Sequence, residues 1–394
     1  MPTMQTPFGM ISHLPEIGTS IMGRAATATL YVSPNGDGSD GTTWAKAYTT
    51  IQAALDAAST DADDITLILI GPHATNYDIY TTGDPTWAAN VMLMGSHRTF
   101  AKVMNTHGSA TSIMKLTGKV SVNHLNFNLG SGSGNGLIFT HSGSRVYECN
   151  FIGEDLTGAA TALWLDHATT GKFAKVTDSE FKGHVTYMTG ILVDKYSHSL
   201  FDDIRICDCL KGIQIVGATA TENQFCSVFT EGCAIGFDID AGTDQHLCKI
   251  TFHENTLNID DEAGAHFYTD LYGDFPITIT PTDLVGTTLA SNATLNVYGT
   301  DTELRAAAAA TKPFRVIGVI VEPAVAQWYQ IRLSADSGST FFEQVMVSTA
   351  RAAGSAIPSG TGYIFNAGTR ISGSCKAESS GPDNIKVWLK IQEI

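Results

Sequence analysis

Along the middle of the chain, apolar and polar residues alternate in short runs that end on a large apolar side chain, at Phe127, Phe151, Phe181, Ile206, Phe229 and Phe252. Two residues before each stands another small or apolar one, namely Leu125, Cys149, Ser179, Ile204, Ser227 and Ile250, the period-two mark of a strand with one inward face. The endings recur at intervals of roughly 23 to 30 residues. Each interval holds a second alternating run, at Leu137 to Phe139, Leu163 to Leu165, Ile191 to Val193, Ile213 to Ile215, Phe237 to Ile239 and Leu257 to Ile259. Turns at Gly153, Gly183, Gly212 and Gly232 separate the runs. A unit of this size cannot bury its own apolar face, whereas stacking like units buries a continuous column. The pattern predicts an all-β chain built on a right-handed, single-stranded parallel β-helix. Ile65 to Ile70, Val91 to Met94 and Ile113 to Leu116 supply less regular first coils. A leucine-rich repeat has a similar period, but its fixed Leu and Asn spacing is missing.

The open end of a solenoid exposes core and unpaired strand edges, so it needs a cover. One short N-terminal capping helix near 49–58 is predicted there, with Thr49 and Gln52 as a capping box and Ile51, Ala54, Leu55 and Ala58 as its apolar stripe. The run Tyr31-Val-Ser-Pro-Asn-Gly-Asp-Gly-Ser-Asp-Gly41, then Trp44, then Tyr48-Thr-Thr-Ile-Gln-Ala-Ala-Leu55 resembles the opening of pectate-lyase-like β-helix proteins. That likeness implies a solenoid over residues 29–274. Residues 275–312, rich in Thr, Pro and Gly and including the small-residue run Ala306 to Ala310, read as a linker. Residues 313–394 hold fresh alternating runs joined by short turns such as Asp336-Ser-Gly, which predict an antiparallel β-sandwich of jelly-roll type. Its closing pattern, Ala367-Gly-Thr-Arg-Ile-Ser, Glu378-Ser-Ser and Ile385-Lys-Val-Trp-Leu-Lys-Ile391, is similar to terminal modules of tailed-phage virion proteins. Residues 1–28 carry Phe8, Met10, Ile11, Leu14, Ile17, Ile21 and Met22, more apolar character than a solvated tail needs, and read as a docking arm.

Charge narrows the function classes. With 23 basic against 39 acidic residues the formal net charge is -16, and no Lys/Arg cluster stands ready to neutralise phosphates, so nucleic-acid binding is not expected. Apolar runs such as Ile317 to Val321 are too short to enter and cross a bilayer, and the start of the chain lacks a basic region followed by an apolar stretch. The expectation is a product of the host cytoplasm made without a signal peptide and carried on a virion surface. The seven cysteines, Cys149, Cys207, Cys209, Cys226, Cys233, Cys248 and Cys375, lie in strand-like runs or near the C-terminus without paired loop spacing, and read as reduced thiols. No His-x-x-x-His pair, zinc-type Cys spacing or Gly-x-Ser-x-Gly elbow occurs, so no cofactor and no metal is predicted. The loop Asn35 to Gly41 offers Asp37, Ser39 and Asp40 but reads as a Gly-rich turn, and Gly130 to Gly136 as an inter-coil loop.

The sharpest chemical pattern is a column of acids directly after the second run of successive coils: Asp166, Asp194, Asp240 and Asp260, interrupted at Val216. Coils stack about 4.8 Å apart, near the carboxylate spacing of retaining glycosidases, although a strand-ending Asp also serves an Asx turn, which is the favoured reading. Asp202 and Asp203, with Arg205 close by, form a second acidic candidate. Neighbours on a strand point to opposite faces, so one of the two is expected to turn away. Trp164, Tyr187 and Tyr196 are available as sugar-stacking aromatics near these acids. In the C-terminal module Trp328, Tyr363 and Trp388 are glycan-binding candidates, with Tyr329 beside them. The reading that follows is a structural protein of a tailed-phage virion, a homotrimeric spike or head-decoration protein. Its arm meets other virion proteins, and its exposed surface is a candidate for host-glycan contact. The alternative is a tailspike-like polysaccharide depolymerase, hydrolase or lyase, using the Asp residues.

Overall fold

Short strands of successive coils pair in register and in parallel, so that like residues fall on like residues. One inward column runs through Ile68, Leu93, Val122, Val146, Val176, Phe201, Phe225 and Leu247. Each of these is essentially inaccessible to solvent. A second column runs through Val103, Phe127, Phe151, Phe181, Ile206, Thr230 and Phe252. Within it the Phe127, Phe151 and Phe181 rings stack face to face, 4.9 and 4.7 Å apart. A third wall is an eight-stranded parallel sheet whose inward residues include Met114, Leu137, Leu163, Ile191, Ile213, Phe237 and Ile259. The chain is therefore a parallel β-solenoid followed by antiparallel sheets, all-β apart from one described helix.

The computed structural model describes residues 25–80, 84–107, 110–130, 134–261, 267–269, 271–273, 277–280, 287–290, 298–306, 314–323, 328–335, 340–348, 353–356, 364–365, 368–377 and 384–393. Most of the expected docking arm, Tyr363, Glu378 and part of the Gly130 to Gly136 loop lie outside the described residues. The chain divides into two units, Met1–Phe267 and Tyr268–Ile394.

Coils turn where one residue takes a left-handed backbone. His124, Glu148, Asp178, Asp203, Ser227 and Lys249 follow the in-register positions Asn123, Tyr147, Thr177, Asp202, Cys226 and Cys248, and all have φ between 49° and 55°. A second such column comprises Gly143, Phe173, His198, Glu222 and Asp244, and a third Asp208, Gly232 and Glu254. The left-handed region costs a side-chain-bearing residue about 1–2 kcal/mol, so its repetition in coil after coil shows that stacking holds the bends in place.

The helix covers Ile51–Ala57 and buries Ile51, Ala54 and Leu55. Its N-cap is Thr50, whose hydroxyl accepts the Ala53 N–H, so the Thr49 capping box is displaced by one residue. Thr50 has the extended backbone a cap requires. The motif before the helix straps the first coil: the Tyr31 N–H donates to the Gly41 carbonyl, and the Tyr48 N–H donates to the Tyr31 carbonyl. Gly41 has φ +67°, and a Cβ there would meet the Tyr48 ring at 2.5 Å, which accounts for glycine in this motif.

Three further expectations are revised. Phe229 does not continue the inward Phe column, because Arg205 aligns with Phe229 and Ile206 with Thr230. Thr230 is fully buried, and the Asn255 side-chain amide satisfies its hydroxyl at 3.0 Å, so a polar residue holds a core position while the aromatic faces outward. Residues 275–312 are not simply a linker: Ile277–Thr280 and Thr287–Ala290 pair with Asn384–Glu393, and Thr302–Arg305 pairs with Ile371–Ala377. Buried Leu289 and Leu304 explain why this Thr-rich stretch forms strands. Finally, Cys226 and Cys248 are joined as a disulfide, since they face each other across adjacent coils with Cα atoms 4.8 Å apart, so not all thiols are reduced.

In the second unit, one antiparallel sheet is organised on Asn384–Glu393 against Phe314–Pro323, and another on Trp328–Ala335 between Thr340–Ser348 and Ile371–Ala377. Val319, Val387 and Leu389 of the first sheet share one core cluster with Tyr329, Ile331 and Ile371 of the second.

Candidate functional site

A left-handed residue resets the alternation of its strand. Phe201 points inward, Asp202 outward, Asp203 occupies the bend, and Ile204 points inward again, so both acids lie outside the core. Of the two, only Asp203 lines the neighbouring groove. Because the bends stack, Asp203 stands above Asp178, which stands above Glu148. These three carboxylates line an open groove of about 740 Å³. Glu180, Arg205 and Phe229 form one side, and His97 and Arg98, from the loop after Val91–Gly95, also line it.

Charge in the groove is unevenly compensated. Arg205 is shared between Glu180 at 3.5 Å and Glu231 at 2.9 Å, with its guanidinium 5.8 Å from the Phe229 ring centre. The Glu231 carboxyl lies below its ordinary range, chiefly through its hydrogen bond from Arg205. Glu148 is 2.9 Å from His124 Nδ1, and the Tyr147 phenol is pushed up to about 12, first by its hydrogen bond to Glu148. Burial pushes His124 down, against the pull of Glu148. Among the described residues Asp178 has no basic partner of this kind. Its carboxyl is raised by partial burial, then by a hydrogen bond with Asp203 and by the charges of Asp203, Glu148 and Asp202. Crowding of acids in one column therefore favours the protonated form of Asp178 relative to a free carboxyl.

Backbone positions one coil apart are separated by about 5 Å and those two coils apart by about 10 Å, so the Glu148, Asp178 and Asp203 column sets three carboxyls at two spacings along one groove. Chemically such a row of carboxyls can accept hydrogen bonds from sugar hydroxyls, and the raised Asp178 is its best-placed proton donor. Phe229, half-buried, lines the groove beside them.

No protein-family model matches the chain, and no curated protein matches it. Among the solved structures that match the chain are two with the following overlap. Pantoea stewartii WceF, described as a glycan biofilm modifying enzyme with a bacteriophage tailspike-like parallel β-helix fold, is 10% identical with a TM-score of 0.34, covering 86% of this chain. The chain spans only 58% of WceF. The enzymatically active domain of tailspike protein 4 of bacteriophage CBA120 is 9% identical with a TM-score of 0.19, covering 89% of this chain and 67% of that one. Similarity at this level says nothing of this chain's activity, and the solenoid is established by its own strand ladders.

The Asp column foreseen on the third wall is only partly assembled. Asp166 and Asp194 are in register, and Asp194 lies 3.4 Å from Lys195 Nζ. Asp240 accepts a hydrogen bond from the Gln214 side-chain amide at 2.8 Å. Asp260 aligns with Asp238 instead of Asp240, because Ile259 must follow Phe237 in the core and Leu257 follows Ile235. Asp238, which the chain's pattern did not single out, is nearly inaccessible and ion-paired with Lys211. Burial raises its carboxyl, and Lys211 works against that. Of the aromatics, Tyr196 is fully buried and donates to the His141 carbonyl, while Trp164 and Tyr187 are half-buried away from the groove. In the second unit Trp388 is half-buried and Tyr329 is in the core; the Trp328 side chain lies outside the described residues.

Glu148, Asp178, Glu180, His97 and Arg98 were missed. A signal existed: the residue three before each core anchor reads His124, Glu148, Asp178, Asp203, Ser227, Lys249 once Thr230 replaces Phe229 as the fifth anchor.

Proposed function

We propose that the chain is a structural protein of a tailed-phage virion, a spike or head-decoration protein in which the solenoid is a rigid rod carried on the particle surface. The observation that carries this reading is the in-register stacking of inward columns that are apolar but for Thr230. Such a core resists bending because displacing one coil displaces every ring above and below it. The likenesses of the N-terminal and C-terminal sequence patterns to β-helix and virion proteins support the assignment to a particle. Residues 1–28 serve as the docking arm, and the rod assembles as a homotrimer. Sedimentation of the purified chain is expected to give a trimer that survives mild denaturant and binds phage particles. A monomer at micromolar concentration with no affinity for capsids or tails refutes the reading.

The groove supports a second reading, that the same rod engages host surface glycan and cleaves it. The stacking of Glu148, Asp178 and Asp203 in one groove, with the Asp178 carboxyl raised by burial and by its acidic neighbours, is the specific observation in its favour. Incubation with host polysaccharide is expected to release new reducing ends that disappear in Asp203→Asn. No new ends with the unaltered protein removes the cleavage reading and leaves the structural one standing.

A further inference from the structure

The third bend column places two thiols against each other inside the solenoid. Cys207 aligns with Glu231, so Cys209 stands directly below Cys233, and the ladder continues through the Ala234 N–H to the Cys209 carbonyl. Both cysteines are buried, at 0% and 1% exposure. Their side chains occupy in-register positions of adjacent coils, and each thiol has a carbonyl acceptor two residues upstream, at 3.3 Å for Cys209 and 3.5 Å for Cys233. A disulfide requires Cα atoms about 4.4–6.8 Å apart, and stacked coils supply about 4.8 Å. The same relation already joins Cys226 to Cys248 one coil higher, at 4.8 Å.

We propose that Cys209 and Cys233 form an oxidisable dithiol that closes a second inter-coil disulfide when a small peroxide reaches it. The surroundings confine the reaction to this pair. Below Cys209 lie Gly183 and the Met188 sulfur, and above Cys233 the Asn255 side-chain oxygen accepts the Cys233 N–H at 2.9 Å. Cys149 belongs to a different column, beneath the first bend, where its thiol faces the Tyr147 carbonyl. The neighbouring thiol lowers Cys233 and raises Cys209, and with the two side chains in register on adjacent coils Cys233 is taken as the attacking sulfur. Its thiolate displaces hydroxide from hydrogen peroxide, giving a sulfenic acid and, after protonation, water. The Cys209 sulfur, losing its proton, then attacks the sulfenic sulfur, the S–S bond forms, and the second oxygen leaves as water. Two thiols are oxidised and one peroxide is reduced to two waters. With Cys226–Cys248, the product ties three consecutive coils together.

The test treats the full chain with one equivalent of hydrogen peroxide, then denatures, alkylates and maps peptides by mass spectrometry. The expected result is a Cys209–Cys233 cross-link, reversed by dithiothreitol, with Cys149, Cys207 and Cys375 still alkylated. Full alkylation of Cys209 and Cys233, or their separate conversion to sulfinic acids without a cross-link, overturns the proposal. In Cys209→Ser, a near-isosteric change checked for folding by circular dichroism, Cys233 is expected to stall as a sulfenic acid captured by dimedone. An unlabelled Cys233 there overturns its role as the attacking sulfur.

Discussion

The register of the fifth coil separates two accounts of the core by a measurable difference. Phe151 is fully buried with rings stacked on both sides, at 4.9 and 4.7 Å and within 14° and 3° of parallel. Truncating a buried Phe costs about 3–5 kcal/mol, and two lost ring contacts place Phe151→Ala at the upper end, about 4–5 kcal/mol. Phe229 ends the equivalent alternating run in the sequence but faces outward, half-buried, touching Arg205 at 5.8 Å and His253 at 6.4 Å. Phe229→Ala is therefore expected to cost only about 1 kcal/mol, the loss of partial burial and one cation–π contact. Urea denaturation followed by far-ultraviolet circular dichroism reads both variants against the unaltered chain. Equal costs, or a greater cost at Phe229, would refute the placement of Thr230 in the core and with it the alignment of every residue in that coil.

Three further outcomes follow from the same geometry. Asp178 titrates above the ordinary carboxyl range in the folded chain, so its favourable contribution is complete below the unfolded value and is lost as pH rises through the folded one. Asp178→Asn, which keeps a residue tolerant of the left-handed bend, is thus expected to gain about 0.5 kcal/mol over the parent at pH 7, after solvent screening, and nothing near pH 3. Gly212→Ala would bring a Cβ to 2.4 Å from the Gly236 carbonyl oxygen, backbone that cannot yield, and should lose about 1–3 kcal/mol in the same denaturation assay. Lys211→Met removes the cation from nearly inaccessible Asp238; the loss should be about 3 kcal/mol at neutral pH and much smaller in acid, where Asp238 takes up a proton.

Much of the fold was legible because stacking forces like residues into columns, and columns leave a period in the chain. The parallel solenoid and the helix could be read from Phe127, Phe151, Phe181 and the stripe Ile51, Ala54, Leu55 because each role has one dominant solution, apolar and inward. The fifth anchor was misread because Thr230 satisfies its hydroxyl through Asn255, a partner one coil away that alternation does not reveal. The slip from Asp240 to Asp260 has the same origin, since core packing of Ile259 on Phe237 decides the register and the acids merely follow. The groove was half legible. Asp203 and Arg205 drew notice as neighbours in sequence, but Glu148 and Asp178 join them only through the repeated bend, and a strict period of two has no place for such a residue.

The central proposal, a rigid solenoid borne on a virion, is tested most directly by cryo-electron microscopy of tailed-phage particles purified from a lysate in which the chain is produced. The expected result is solenoid density with strands stacked at about 4.8 Å, repeated at symmetry-related surface positions on head or tail. Particles whose protein inventory lacks the chain, with the protein found only free in the lysate, would contradict the account.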